Sequence, residues 1–240
     1  MFDPFGDYAT AGYLRNYLQE KDLDLIKQAE HELFRAQLPE AMAYLERRKR
    51  IEYADFLQVH QILFSGLYPW AGADRQQVAP QSAIRKGPVE FCHPADCQRA
   101  VQLGLSMAQE QQKMATRPGH IMGLFAYGHP FLDGNGRTML VVHAELCFRA
   151  SMSIDWASTE KTAYLNALTR EIETPNATHL DDYLRNFIGP KIARDQWTTI
   201  ITDLPGLDGM QVGQDVSAPY SDPGVLERYH AFEQRRNYKL

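Results

Sequence analysis

A glycine-rich loop between two apolar segments constrains the fold of this chain more than any other feature. The loop, Gly134-Asn135-Gly136, follows an apolar run at 121–127 and opens onto a helix-like run at 138–150. Glycine lets a backbone turn sharply and approach an anion without a Cβ in the way. The free N–H groups and the positive dipole end of a helix N-terminus attract anions. The pattern therefore predicts two helices joined by an anion-binding loop.

Side chains of complementary chemistry lie within and beside this loop. Arg137 falls in the first helical turn, where a guanidinium fork can grip phosphate oxygens, and Asn135 adds a further donor. Asp133 can hold Mg²⁺, which usually takes one or two carboxylates together with phosphate oxygens. His129 is largely uncharged near neutral pH, as a general base must be. These groups are the ones needed to attack a nucleotide phosphate with a protein hydroxyl.

The run from His129 to Arg137, HPFLDGNGR, also resembles a family signature. It is similar to the Fic motif, His-x-Phe-x-(Asp/Glu)-Gly-Asn-Gly-Arg-x-x-Arg, at every fixed position but the last. The segment at 60–75, HQILFSGLYPWAGADR, resembles a second Fic segment, and the resemblance extends over about residues 1–190. It implies a mainly α fold, a Fic-type helical bundle with a short β-hairpin flap beside the active-site loop.

Two further elements gain an expected role from this resemblance. Lys86-Gly87, followed by Phe91, resembles the family element near the flap that holds the target protein. Tyr164, in the helix after Trp156, is a candidate for the pocket of the nucleotide base, and ordinary packing is the alternative for it.

The resemblance implies a Fic-type transferase that moves AMP from ATP to a Ser, Thr or Tyr hydroxyl of a target protein, as a toxin or effector. In this hypothesis His129 is the base and Asp133 holds Mg²⁺. The loop residues Gly134, Asn135 and Gly136, with Arg137, bind the phosphates of ATP, the co-substrate. Transfer of UMP or phosphocholine on the same scaffold, or an inactive module that binds a nucleotide or a partner, are the alternatives.

Leu140 is the one departure from the motif, because the family has a second arginine at this position. Positions 137 and 140 are three apart on a helix, so Leu140 is expected to face the phosphates together with Arg137. Either ATP is bound with a weaker clamp, or the donor needs no contact to a third phosphate. The chain also has no complete match to the family's inhibitory pattern, (Ser/Thr)-x-x-x-Glu-(Gly/Asn). A small inhibitor protein that acts in trans is therefore an open alternative.

Composition narrows the classes of partner. The net charge of −5 gives no broad basic field for nucleic acid, and no apolar run approaches the ~20 residues that span a membrane. The first twelve residues lack the basic start and apolar stretch of a signal peptide. These features predict a cytoplasmic protein, with delivery into another cell without a classical signal peptide as the alternative.

Helical periodicity predicts helices at 23–35, 54–64, 95–114, 119–128, 135–150, 159–173 and 180–191, with a loop or short hairpin at 76–94. The predicted domain organisation is a Fic-like catalytic domain at 1–200, a linker at 201–224 that is rich in Gly, Pro and Asp, and a C-terminal helix or tail at 225–240.

Overall fold

Two consecutive helices, α6 (Pro118–Gly128) and α7 (Asn135–Arg149), form the centre of the computed structural model, which describes residues 15–204, 207, 216–238 and 240. All eleven residues of α6 are buried, and twelve of the fifteen in α7 are buried. A helix that is apolar on all sides is stable only when other helices surround it. The loop that joins α6 to α7 is the predicted anion-binding loop, so it is held between the two most enclosed helices.

Around this pair lie nine other helices among the described residues. The mainly α fold with a small hairpin is as predicted. The remaining helices are α1 (Leu23–Glu46), α2 (Tyr53–Phe64), α3 (Arg75–Val78), α4 (Cys97–Ala108), α5 (Gln111–Thr116), α8 (Lys161–Glu173), α9 (His179–Leu184), α10 (Arg194–Thr202) and α11 (Pro223–Arg236); short 3₁₀ turns lie at Pro94–Asp96, Trp156–Ser158 and Arg185–Phe187.

Helix α1 is longer than its predicted span of 23–35. The Asp22 carboxylate caps its N-terminus by accepting hydrogen bonds from the N–H groups of Asp24 and Leu25, and the helix continues through Pro39. Its buried stripe repeats at three- and four-residue intervals, as packing against a core requires. Glu30 is the one charged member of that stripe, and its side chain is fully enclosed.

Two predicted helices are interrupted in the structure. The predicted helix at 95–114 divides into α4 and α5 because Glu110 has an extended backbone, with φ −88° and ψ 104°. The predicted helix at 180–191 ends early, and Ile188–Pro190 forms strand β4 instead, which pairs antiparallel with β3 (Met152–Ile154). Gly and Pro in β4 disfavour a helix there.

The predicted flap is present as a hairpin. Strands β1 (Ser82–Lys86) and β2 (Val89–Glu90) pair antiparallel, and Lys86 faces Val89 across a two-residue turn. Gly87 in this turn has φ +56°, a value that glycine adopts without strain.

A third strand lies on the outer edge of the hairpin. Strand β5 (Val216–Pro219) pairs antiparallel with β1, which gives the strand order β2-β1-β5. Residues 216–219 were predicted as part of a linker, and the structure corrects this interpretation for these four residues. Of the rest of that predicted linker, residues 205, 206 and 208–215 lie outside the described residues. Residues 1–14 of the predicted catalytic domain do so as well.

The C-terminal helix α11 packs against the central helix α6. Phe232 is buried, the Tyr127 hydroxyl donates to Glu233 at 2.6 Å, and the Arg236 guanidinium lies 3.4 Å from the centroid of the Tyr127 ring. The end of the described chain is therefore part of the core. None of the helices in the described ranges is long and apolar enough to cross a bilayer.

Candidate active site

His129 ends helix α6 in a backbone conformation that is uncommon for a non-glycine residue. It has φ 39° and ψ 57°, the left-handed region, and its N–H donates to Phe125 O at 3.1 Å. Non-glycine residues occupy this region at an energetic cost of about 1–3 kcal/mol, which the surrounding structure must offset. The conformation turns the chain out of α6 and leaves the His129 ring largely buried, at 7% exposure.

Arg75 fixes this turn from the other side. Its fully buried guanidinium donates from Nε to His129 O at 2.7 Å and from Nη2 to Cys92 O at 2.7 Å. Its backbone N–H donates to Pro130 O at 2.7 Å. Arg75 thus connects the start of α3, the segment that follows the flap, and the motif. Arg75 was not predicted to be a site residue, although it lies in the segment at 60–75 that resembles the Fic family.

The flap contacts His129 through Phe91. The two rings are stacked, with centroids 3.6 Å apart and planes 11° from parallel. The Phe91 N–H donates to Ile84 O at 3.0 Å, so Phe91 extends the pairing of the hairpin. Lys86 and Gly87 lie at the tip of the same hairpin, and their role in holding a target stays a prediction. The hairpin and the proposed base therefore form one packed unit.

The glycines of the loop have different roles. Gly134 has φ +76° and precedes α7, and a Cβ at this position would lie 2.6 Å from Cε2 of Phe64. Any larger residue would therefore clash with the core. A Cβ at Gly136 would have no neighbour within 4 Å among the residues that the structure describes, so these residues leave the space beside the first turn of α7 open on this side.

Asn135 holds the loop together instead of presenting its amide to a ligand. Its Oδ1 accepts from Phe131 N at 2.9 Å, and its Nδ2 donates to Phe131 O at 2.7 Å. We expected the Asn135 side chain to be an additional donor for anionic oxygens. In the structure both ends of that amide are used by the backbone, so Asn135 shapes the loop.

His60 supports the loop through contacts with its backbone and with Phe131, and it was not identified as a site residue from the sequence. Its Nδ1 accepts from Gly72 N at 2.9 Å, so its Nε2 carries the proton and donates to Asp133 O at 3.0 Å. The ring stacks on Phe131 with centroids 3.7 Å apart. Burial lowers the pKa of His60 to about 3, and the ring is therefore neutral.

Four charged side chains form a closed cycle between α1 and the loop, which we call the charge ring: Lys27, Asp133, Arg137 and Glu30. Arg137 Nη2 lies 2.7 Å from Glu30 Oε1 and 3.8 Å from Asp133 Oδ1. Lys27 Nζ lies 3.0 Å from Glu30 Oε2 and forms an ion pair with Asp133. Cations and carboxylates alternate around the ring, so every charge has two opposite neighbours.

The charge ring determines the ionisation of Asp133. Burial opposes ionisation of this carboxyl, but Lys27 and Arg137 outweigh burial and hold its pKa well below the usual range. The Gly134 N–H, which donates to Asp133 Oδ1 at 2.6 Å, acts in the same direction. Asp133 is therefore an anion at physiological pH.

This carboxylate fits Mg²⁺ under one condition. Within the described ranges, no cluster of three or more His, Cys, Asp or Glu residues could hold a metal ion alone. Mg²⁺ often binds through one carboxylate, with phosphate oxygens and water as its other ligands. The ionised and 30% exposed Asp133 side chain suits that mode if Lys27 shares or leaves the oxygen that it contacts.

Leu140 does not lie where the sequence placed it. It is 6% exposed and belongs to the hydrophobic core, and nearly all of α7 is buried. Positions 137 and 140 do share a face of α7, but at Leu140 that face is packed against apolar side chains. The expectation that Leu140 faces the phosphates is therefore wrong.

Tyr164 packs among aromatic side chains. Its ring meets Trp156 edge-on, with centroids 5.4 Å apart, and lies 6.5 Å from the ring of Tyr183. Burial raises the pKa of its hydroxyl. These contacts agree with the packing alternative, and the proposed role in a base pocket stays a prediction.

Comparison with known proteins agrees with this geometry. Residues 50–147, which include α2, the flap and the whole motif, match the Fic/DOC family. The chain contains a Fic/DOC domain. Its sequence is 26% identical over 174 residues to a probable protein adenylyltransferase, y4lH, of Sinorhizobium fredii, across 68% of this chain and 85% of that protein. It is 27% identical over 175 residues to the protein adenylyltransferase VbhT of Bartonella schoenbuchensis, and this match covers 66% of this chain and 34% of VbhT.

Solved Fic structures have the same fold. The BepC effector of Bartonella tribocorum with bound AMPPNP superposes with a TM-score of 0.60 at 17% identity, over 77% of this chain and 96% of that structure. The N-terminal Fic domain of a Bartonella quintana effector with bound ADP gives a TM-score of 0.61 at 18% identity, over 79% and 96% respectively. At these identities the likeness shows the Fic fold.

Proposed function

We propose that this Fic domain transfers AMP from ATP to the hydroxyl of a Ser, Thr or Tyr residue in a target protein. The observation that carries the proposal is the junction of α6 and α7. There, hydrogen bonds from Arg75 and Asn135 to the backbone fix the short loop that carries His129 and the left-handed Gly134. The ion pair with Glu30 holds the buried Arg137 at the helix N-terminus that follows. The names of the two adenylyltransferase relatives support the same reaction.

The reaction needs a base and an anion site on opposite sides of the attacked phosphorus. His129 accepts the proton of the target hydroxyl as its oxygen bonds to the α-phosphorus of ATP. The bond from that phosphorus to the bridging oxygen of pyrophosphate breaks, and pyrophosphate leaves with the electron pair. The N–H groups at the start of α7 and the Arg137 guanidinium stabilise the negative charge that develops on the phosphates. The products are an AMP-modified protein and pyrophosphate.

Asp133 is the residue that would hold Mg²⁺ in this site. A bound Mg²⁺ supplies positive charge to the phosphate oxygens and helps to orient them. The contribution of the chain is to keep Asp133 ionised and aimed at the loop, through the N–H of Gly134 and the two cations of the charge ring.

The flap gives the target a place beside the base. Lys86 and Gly87 form the tip of a hairpin whose Phe91 stacks on His129. A target segment that binds along this hairpin brings its hydroxyl towards the base. The partner is therefore a protein with an accessible hydroxyl side chain, and this chain acts as a toxin or effector upon it. The proposal also includes a small, separate inhibitor protein that acts on this chain in trans.

Mass spectrometry of intact proteins tests the reaction. The purified protein is incubated with a target-containing lysate and with ATP, UTP or CDP-choline in turn, and His129→Ala is the control. Addition of AMP with ATP alone, and no addition by the variant, supports the proposal. Addition of UMP or phosphocholine identifies a different donor. No addition from any donor, together with tight nucleotide binding, would point to an inactive binding module.

A further inference from the structure

We propose that Lys27 of helix α1 is the second phosphate-binding cation of this site and takes over the task of the arginine that the motif lacks at position 140. This inference rests on the proposed function, because it assumes that a polyphosphate binds at the loop. Lys27 lies outside the matched region at 50–147, and its sequence neighbours give no reason to assign it to a site.

The charge ring places Lys27 at the mouth of the loop. Its ammonium contacts both Asp133, which directly precedes Gly134, and the enclosed Glu30. Its side chain is 23% exposed, whereas that of Arg137 is 8% exposed and that of Glu30 is fully enclosed. Lys27 is therefore the cation of the ring with the most open access to a ligand.

The donors of the ring are incompletely used. A lysine ammonium has three N–H groups, and two described partners, Glu30 and Asp133, leave one for another acceptor. Arg137 is more than nine-tenths buried, yet its Nη1 has no hydrogen-bond partner among the residues that the structure describes. A buried charged donor without a partner is costly unless a ligand supplies the acceptor. One donor on each cation is thus available to phosphate oxygens while the ring stays closed.

The charges of the site also favour a second cation that binds phosphate besides Arg137. Two cations and two carboxylates leave the ring neutral, and the nearby Leu140 adds no charge because it is packed in the core. ATP adds several negative charges, so Arg137 alone, which already faces Glu30, is a weak clamp for it. Lysine acts as a point charge on a flexible stem and commonly binds phosphates in this way. From α1, Lys27 can offer its remaining N–H group to the outer phosphates.

Calorimetry with ATP and AMP, in the presence of Mg²⁺, tests this role in wild type, Lys27→Met and Lys27→Arg. Lys113→Met is the matched control, because Lys113 forms a similar i,i+3 pair with Glu110 on an exposed helix surface. Loss of one charge-assisted contact should weaken ATP binding by about tenfold to a hundredfold in Lys27→Met. The affinity of Lys27→Met for AMP, which lacks the outer phosphates, should fall by about threefold or less. Lys27→Arg should retain most of the affinity for ATP, and Lys113→Met should bind as wild type does.

The outcomes separate this inference from the proposed function. Unchanged ATP affinity in Lys27→Met, or equal losses for ATP and AMP, would overturn the role of Lys27. A further outcome is that wild type binds inorganic tripolyphosphate as tightly as ATP, with the same loss of affinity in Lys27→Met. In that outcome the assignment of ATP as donor is wrong and the role of Lys27 stands. If wild type binds neither ATP nor tripolyphosphate, both are wrong.

A measurement on the wild type covers the case in which Lys27→Met does not fold. Reductive methylation modifies accessible lysine amines, and peptide mapping reports each site. ATP should protect Lys27 several-fold more than AMP does and should leave Lys113 unchanged. Equal modification of Lys27 with and without ATP would contradict the inference.

Discussion

Arg137 and Glu30 form an ion pair across 107 residues of sequence, with Nη2 and Oε1 2.7 Å apart and the glutamate side chain fully enclosed. The guanidinium also lies over the ring of Phe64, 4.9 Å from its centroid. The arginine that the proposed reaction needs for phosphate is therefore held in place before a ligand arrives. The same glutamate repels any phosphate that approaches. Glu30 therefore keeps Arg137 ordered but opposes the binding of phosphate.

Glu30→Gln should change stability and phosphate affinity in opposite directions. Loss of one partner from a buried ion pair typically costs about 3–5 kcal/mol, so the free energy of unfolding should fall. ATP affinity should rise by about threefold to tenfold, because the carboxylate no longer opposes the phosphates. Urea unfolding and calorimetry measure the two effects.

Glu145→Gln is the control for that prediction. Glu145 is also fully enclosed and pairs with Arg149 at 2.7 Å and with Arg194 at 2.9 Å, away from the charge ring. The Glu145→Gln variant should be less stable than wild type, and its ATP affinity should be unchanged. If Glu30→Gln bound ATP more weakly than wild type, Glu30 would be part of the binding surface and not an opponent of it.

His129→Ala should reduce the rate of AMP transfer by about 10²–10⁴, the contribution typical of a positioned general base. ATP affinity should stay within about twofold, since the loop and Arg137 supply the phosphate contacts. Single-turnover rates and calorimetry on the same samples separate the two quantities. Transfer at the wild-type rate by a folded variant would remove His129 from the mechanism.

Leu140→Arg should destabilise the protein and should not restore a phosphate clamp. Leu140 is 6% exposed in the core, and a buried charge without a partner costs about 2–4 kcal/mol at such sites. For a chain of this size, that loss corresponds to a fall in Tm of roughly 5–15 °C. Leu140→Met, which keeps the volume, is the control and should stay close to wild type. A stable Leu140→Arg protein with higher ATP affinity would show that the side chain reaches the site.

Acid should destabilise the fold partly through His143. Burial lowers its pKa from 6.5 to about 4, and its Nε2 donates to Pro118 O at 2.8 Å in the neutral form. Between these two values the unfolded chain binds a proton that the folded chain does not. The stability associated with neutral His143 is therefore complete above about 6.5 and is lost as the pH falls towards 4.

Urea unfolding at several pH values checks this slope. His143→Gln should flatten it by up to about 1.4 kcal/mol per pH unit, the value for one proton. His230→Gln is the control, because His230 is exposed. An unchanged slope in His143→Gln would mean that other groups, such as the buried His60, account for the whole effect.

The motif and its helical context could be predicted from sequence because they are local. Glycines, a helix start and an apolar run within about 30 residues of each other determine the loop between α6 and α7. The same locality explains the prediction of the hairpin, whose turn glycine, Gly87, has a positive φ.

The charge ring and the third strand depend on residues far apart in the chain. Lys27 and Glu30 look like ordinary helix-surface charges until α1 packs against the loop. Strand β5 lies in a segment whose Gly, Pro and Asp content favours a loop, and pairing with β1 overrides that local preference. Leu140 was misplaced for a related reason: helical spacing shows which residues share a face, but packing decides what that face meets.

Strand β5 has a consequence for the proposed binding of a target segment along the flap. It occupies the outer edge of β1, opposite β2, and Tyr220 N extends the contact by donating to Gln81 O at 2.9 Å. An intramolecular strand is present at an effective concentration on the order of millimolar. A target segment that added to this edge would compete against that internal occupant, and only a tightly binding or abundant target would displace it. Selectivity for the target would then come partly from the enzyme's own chain. A hydroxyl-bearing peptide that binds this edge more weakly than β5 would not be held there.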